Sequence, residues 1–251
     1  MDVFIVVYLA VIGLIFGSFF NVVGLRVPLG QSIVRPRSAC PGCHHELTAS
    51  ELIPVFSYFL QKGKCRNCAQ AISPIYPAIE LITALLFISA PFLVGWNNHL
   101  FIAYSLISLL VIITVSDLAY MIIPNKVLLF FLVWFVVLHF FIGDLHLMNA
   151  LLGMLIGFAV LLLIALLSNG GMGGGDVKLL AVLGVALGVK LVMLSLFFAI
   201  LYGAAAGLLF MAIGLMKKRQ PIPFGPFLAL GALTSYFYGE QIVNWYFGVI
   251  L

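Results

Sequence analysis

Charge is scarce in this chain, and cysteine is confined to one short stretch of it. Asp, Glu, Lys and Arg make up 8% of the 251 residues, and hydrophobic residues make up 64%. A soluble domain would be about a quarter charged and about half apolar. With a mean hydropathy of +1.24, the chain is excluded from the soluble class and reads as an integral membrane protein. The basic residues are too few to form a nucleic-acid patch, so no nucleic-acid partner is expected. No basic segment precedes the first apolar run, which reaches residue 25. That run is long enough to span a bilayer and predicts a retained helix rather than a cleaved signal. No glycine-rich dinucleotide fingerprint follows a strand, and no internal repeat or low-complexity tract stands out.

What is present is a series of apolar runs at 3–25, 77–95, 99–116, 127–143, 149–168, 177–189, 191–215 and 225–250. A spanning helix needs roughly 20 apolar residues. The pattern predicts an all-α polytopic membrane protein with about eight transmembrane helices, a first helix over 1–25, a polar domain over 26–76 and a bundle over 77–251. The run 177–189 is short for a crossing, but parity favours keeping it. With eight crossings both termini lie outside, the 26–76 domain is cytoplasmic, and every Lys and Arg except Lys190 lies on the cytoplasmic side, as the positive-inside rule requires. Without that crossing, Lys217, Lys218 and Arg219 would be stranded outside. The pairs Gly13/Gly17, Gly153/Gly157, Gly184/Gly188 and Gly203/Gly207 suit close helix packing.

All four cysteines fall in the polar domain, as Cys40-Pro-Gly-Cys43 and Cys65-Arg-Asn-Cys68. Two C-x-x-C turns can close a tetrahedral site around one ion. A reducing cytoplasm disfavours disulfides, and a domain of about fifty residues has little core of its own. The reading is therefore structural zinc held by Cys40, Cys43, Cys65 and Cys68. The alternative, two disulfides or redox-active thiols, requires the domain to face outward. His44 and His45 stand beside a knuckle and could substitute for a cysteine ligand.

Two acids draw attention in the bundle. Asp117 ends the third apolar run, and Asp176 opens the sixth behind Gly173-Gly174-Gly175. Intramembrane carboxylates are costly and point to function. The fourth and fifth runs form a hairpin between them, so both acids are expected at one membrane face. The glycines read as flexible backbone that a substrate can approach. Two carboxylates that share a water cannot both ionise cheaply; one takes a proton from the water while the other polarises a carbonyl. Taken singly, Asp117 could be an interfacial helix end and Asp176 a helix cap. Lys178 either pairs with Asp176 or marks the cytoplasmic edge.

These pieces together resemble the type IV prepilin peptidases, which are GxGD-type intramembrane aspartyl proteases. The matching text is Gly17-Ser18-Phe19-Phe20-Asn21, the two C-x-x-C pairs, Glu51-Leu52-Ile53-Pro54, Gly63-Lys64-Cys65, Tyr76-Pro77 with Glu80, Ser116-Asp117, Ile123-Pro124-Asn125, Gly173-Gly174-Gly175-Asp176-Val177-Lys178 and Pro223-Phe224-Gly225-Pro226. The resemblance covers nearly the whole chain and is strongest to competence-associated Gram-positive members. It implies an enzyme that removes the basic leader of prepilins or pseudopilins at the cytoplasmic face, with Asp117 and Asp176 as its catalytic pair. It further implies N-methylation of the exposed residue from S-adenosylmethionine, for which Asn21, Glu51 and Glu80 are candidates. Two other functions use the same residues: a proton-coupled transporter relaying protons through the two aspartates, and a non-enzymatic membrane scaffold.

Overall fold

A computed structural model describes residues 3–142, 147–168, 172–214 and 222–250. Gly170, Gly171, Asp144 and Lys217 to Arg219 lie outside the described residues. The described residues are helical apart from loops and two isolated β-bridges. Eight α-helices are present among them: α1 Val3–Arg26, α2 Phe56–Leu60, α3 Ile75–Val94, α4 His99–Tyr120, α5 Asn125–Ile142, α6 Leu147–Leu167, α7 Gly174–Ala212 and α8 Gly225–Ile250, with a 3-10 turn at Ala49–Leu52. Six of them (α1, α3, α4, α5, α6 and α7) are long and apolar enough to cross a membrane. The chain divides into two compact units, 1–95 and 96–251.

In the first unit α1 and α3 run antiparallel in close contact. A methyl group on Gly13 would come within 2.6 Å of Ala84 Cα, and one on Gly17 within 2.8 Å of Glu80 Cα. The rest of the α1 surface, including Phe4, Val7, Tyr8 and Ile15, is exposed apolar side chain, as a lipid-facing helix requires. Residues 27–74 form the small domain between these two helices.

In the second unit α4 is the central element. Leu106, Ile107, Leu109 and Ile113 are completely buried along it. Contacts fix the direction of its neighbours. Gly225 at the start of α8 meets Asp117 near the end of α4, while Tyr236 reaches the His99 carbonyl at the other end, so α4 and α8 are antiparallel. Lys178 meets Asn125 and His139 meets the Val185 carbonyl, so α5 and the first half of α7 run parallel. The C-terminus of α4 and the N-termini of α5, α7 and α8 therefore gather at one end of this unit.

The sequence expectation of two helices at 177–189 and 191–215 is met by a single element with a sharp break. Gly188 inside α7 has φ 73° and ψ 178°, a conformation open to glycine and strained for any other residue. Leu180 and Val192 would stand about 18 Å apart on a straight helix. Yet a methyl group on Gly157 of α6 would touch both, at 3.1 Å from Leu180 O and 3.4 Å from Val192 Cγ2. The chain thus doubles back at Gly188, and Asn149 Oδ1 accepts the freed Val189 amide at 3.2 Å. The corner explains why no polar loop marks the turn in the sequence: one glycine and one asparagine from α6 replace it.

Of the four glycine pairs, three make close approaches. Gly153 and Gly184 abut backbone to backbone, where no side chain fits. Gly203 and Gly207 do not; their nearest neighbours are side chains at 3.5 Å or more, so close packing there is not what the structure shows.

Candidate functional site

Asp117 lies in the last turn of α4, which continues past the predicted end at 116 to Tyr120. It is 5% exposed, and its Oδ2 accepts the Gly225 N–H at 2.8 Å. The turn that follows is fixed by its own hydrogen bonds. Met121 adopts the left-handed conformation and donates its amide to the Asp117 carbonyl, and the Ser116 hydroxyl donates to the Ile122 carbonyl.

Asp176 is 7% exposed, and its Oδ1 has no hydrogen-bond partner. The structure differs here from the expected flexible glycine loop. Gly173 is the cap residue, and α7 begins at Gly174, so Gly174 and Gly175 are already helical and Asp176 sits in the first turn. A carboxylate there is favoured by the helix dipole. The glycines serve close approach instead. A methyl group on Gly175 would lie 2.8 Å from Ile123 Cβ, so the start of α7 is pressed against the turn after Asp117. Gly173 and Gly174 are exposed at the mouth of the site. The two carboxylates are near enough for the charge of Asp117 to act on Asp176. Lys178 donates to Asn125 Oδ1 at 3.0 Å.

Gly225 is the site residue that motif reading quoted without a role. Its signal was present: Pro223 and Pro226 flank a glycine immediately before an apolar run, the punctuation of a helix start whose free amides seek an acceptor. What the sequence withheld was the acceptor, more than a hundred residues away.

The second cluster belongs to the first unit. Each C-x-x-C turn folds the same way. The Cys40 amide donates to the His45 carbonyl at 3.0 Å, and the Cys65 amide donates to the Gln70 carbonyl at 2.9 Å. In each turn the residue after the second cysteine, His44 or Ala69, takes positive φ. Facing each other, the turns bring all four Sγ atoms within 4.8 Å of one another, with Cys40–Cys68 at 3.7 Å and Cys43–Cys65 at 3.9 Å. Bonds of about 2.3 Å to a tetrahedral ion place sulfurs about 3.8 Å apart, whereas a disulfide needs about 2.0 Å. The cysteines are free thiols, and their chemistry suits a soft divalent metal. Backbone amides prepare them unevenly. The His45 amide lowers Cys43 to about 7, and the Cys68 amide lowers Cys65. At Cys68 the Gln70 amide favours the thiolate, but burial and the neighbouring sulfurs push the thiol up to about 12. Four sulfurs this close cannot all ionise without a cation among them.

His45 points elsewhere: its Nε2 lies 3.4 Å from Glu51 Oε2. That same oxygen accepts the Thr48 amide at 2.9 Å and the Thr48 hydroxyl at 2.8 Å, which hold the Glu51 carboxyl below its usual range. Glu80, 8% exposed, accepts the Val55 amide at 2.7 Å and bonds the Ser18 hydroxyl. Asn21 is 5% exposed and donates to the Tyr76 carbonyl at 3.2 Å, and its Oδ1 has no donor. Asn21 and Glu80 therefore share the polar end of the α1–α3 pair, while Glu51 is held within its own turn.

Residues 11–93 match the model of the bacterial peptidase A24 N-terminal domain, and residues 104–208 match that of the type IV leader peptidase family. A prepilin leader peptidase/N-methyltransferase of Bacillus subtilis is 46% identical over 97% of this chain and 98% of its own length. The chain belongs to the type IV leader peptidase family. Relatives in that family bearing the same name include one from Aeromonas salmonicida, 34% identical over 95% of this chain and 92% of its own. Another, from Pseudomonas aeruginosa, is 33% identical over 94% and 91%. No solved structure matches. The two family segments fall one in each compact unit, the cysteine cluster in the first and the aspartates in the second.

Proposed function

We propose that this leader-peptidase family member is a membrane-embedded aspartic endopeptidase that removes the leader of type IV prepilins or pseudopilins at the cytoplasmic face of the cell membrane. In the same proposal it then methylates the amine it exposes. The observation that carries the first step is the burial of Asp117 and Asp176 at one end of the second unit, where Gly175 beside Asp176 is pressed against Ile123 in the turn after Asp117.

The chemistry follows from the pair. A water between them loses a proton to one carboxylate as its oxygen attacks the scissile carbonyl carbon. The other carboxyl gives its proton to the carbonyl oxygen. Collapse of the tetrahedral adduct breaks the C–N bond, and the proton first taken from water leaves on the amine. Gly173 and Gly174, exposed beside Asp176, leave room for an extended peptide, and Gly175 keeps the helix start close to Ile123. A prepilin carries a basic leader ahead of a membrane-long apolar helix, so its cleavage junction belongs at the interface where the helix ends gather.

Cys40, Cys43, Cys65 and Cys68 would hold zinc; when bound, it supplies a fold staple. Their sulfur spacing fits that role, and four thiolates leave no open position for catalysis. S-adenosylmethionine supplies the methyl group when bound. Asn21 fits a contact with it, because its buried Oδ1 lacks a donor that an ammonium or hydroxyl would provide. Glu80 lies at the same polar end as Asn21, and Glu51, whose carboxyl Thr48 and His45 already hold, is the remaining candidate. The positive-inside pattern supports a cytoplasmic 26–76 domain with both termini outside.

The test is a purified, reconstituted enzyme given a prepilin-like peptide and labelled S-adenosylmethionine, with cutting and methylation read separately by mass. Wild-type protein should cut the leader and label the new N-terminus. Asp117→Asn and Asp176→Asn should each lower cutting by at least about 10³-fold while still methylating a pre-cut peptide. Retained cutting in either variant removes that residue from the mechanism.

A further inference from the structure

The acid pair is not symmetric. Asp117 Oδ2 receives a buried amide from the first residue of α8, a 26-residue helix. That residue can carry no side chain: a methyl group on Gly225 would stand 2.8 Å from Asp117 Oδ2 and 3.1 Å from its Cβ and Cγ. Asp176 also sits in the first turn of a helix and takes the Gly173 amide on its carboxylate, but only one of its two oxygens is served. Its Oδ1 is buried and receives no hydrogen bond. A hydrogen-bond donor and the positive end of a helix dipole favour the ionised form of the carboxylate they face. A buried oxygen with no donor is costly when charged and inexpensive when its carboxyl keeps a proton.

We propose that Gly225 is the positioning residue of the active site: its amide, at the head of α8, holds Asp117 as the ionised, water-activating carboxylate and leaves Asp176 to carry the proton given to the substrate carbonyl. The assignment rests on the proteolytic reading above and deepens it. It also gives the segment Pro223-Phe224-Gly225-Pro226 a task. The prolines open the helix, and the glycine between them lets Asp117 approach the first amide. The groups facing Asp117 are few. From α8 comes the Gly225 amide and from α7 the Asp176 carboxyl, while Lys178 of α7 is bonded to Asn125 of α5.

Two measurements test this. The first uses the full-length enzyme in lipid with the prepilin-like peptide. Gly225→Ala should lower kcat/KM by about 10²-fold, as a displaced catalytic group does. It should also move the acid limb of the pH profile upward by about one to two units, the worth of a charge-assisted hydrogen bond. A merely structural glycine would lower activity at every pH without moving the limb. Gly248→Ala, in the open last turn of α8 with nothing within 4 Å, should leave both unchanged.

The second measurement needs no activity and no variant at Gly225. The chain has four aspartates, Asp2, Asp117, Asp144 and Asp176, so ¹³C-aspartate labelling isolates their infrared bands. At neutral pH one protonated-carboxyl band should be present in wild type, kept in Asp117→Asn and lost in Asp176→Asn. The reverse pattern, or no such band in wild type, overturns the assignment. A wild-type enzyme that cuts, an inactive Asp117→Asn and a Gly225→Ala that cuts normally with an unmoved limb would overturn the role of Gly225 and leave the protease reading standing. A wild type that never cuts overturns both.

Discussion

The two units build their sites by opposite means. In the first, each half of the cysteine cluster is a local turn, closed by hydrogen bonds across five residues, and a single ion could join the halves. In the second, Asp117 and Asp176 stand about sixty residues apart in sequence, and nothing local joins them. Helix direction and the close seat of Gly175 on Ile123 bring them to one end, and the corner at Gly188 turns the chain back before Gly225 meets Asp117. A site made of turns tolerates a soft surround but fails when its metal ligands go. A site made of helix ends survives local change but fails when helix spacing does. Damage to each unit should therefore take a different form.

The largest expected contrast comes from the cysteines. Cys40→Ser, or chelation of the wild-type protein, should raise protease cleavage within residues 26–75 by at least roughly tenfold. The same change should leave the helices of the second unit folded. Elemental analysis of protein prepared without chelator should give about one zinc per chain. Simultaneous collapse of both units on metal removal would break the comparison.

A smaller effect is expected at helix spacing. Gly184→Ala drives a methyl group into the Gly153 backbone and should cost about 1–3 kcal/mol in the second unit, read as a lowered unfolding midpoint in detergent. Gly203→Ala, whose neighbours are side chains at ordinary contact, should cost under about 0.5 kcal/mol. Equal losses would mean that backbone approach is not what sets the bundle.

The smallest effect is a pH response confined to the first unit. Thr48 holds the Glu51 carboxyl below its ordinary value, so Glu51 contributes stability that is full above its unfolded pKa of about 4.3. That contribution is lost as pH falls through the depressed folded value. Amide exchange at Thr48 should rise a few-fold across that acid window in wild type and be flat there in Glu51→Gln. A matching acid response in the second unit would blur the distinction between the two.

Much of this was legible in the chain. Hydropathy marked the long helices, because apolar runs of bilayer length leave few other structures. C-x-x-C spacing marked the cysteine cluster, because the geometry of each half is closed by neighbours in sequence. The same text misjudged the glycines before Asp176. Their composition suggested a loop, yet the helix starts among them, because tertiary contact with Ile123 rewards the absence of a side chain more than propensity penalises it. It also treated four glycine pairs alike, since sequence spacing cannot say which faces meet.

By itself, then, the sequence determined that the chain is a helical membrane protein, where its thiolates cluster and which two acids stand at helix ends. Those properties depend on composition and on neighbours a few residues apart. Only the tertiary structure decided that α7 reverses at Gly188, that Asp117 receives the head of α8 and that Asp176 keeps an oxygen without a donor. Each of these depends on which backbone lies beside which, and contact between distant helices is fixed by packing alone.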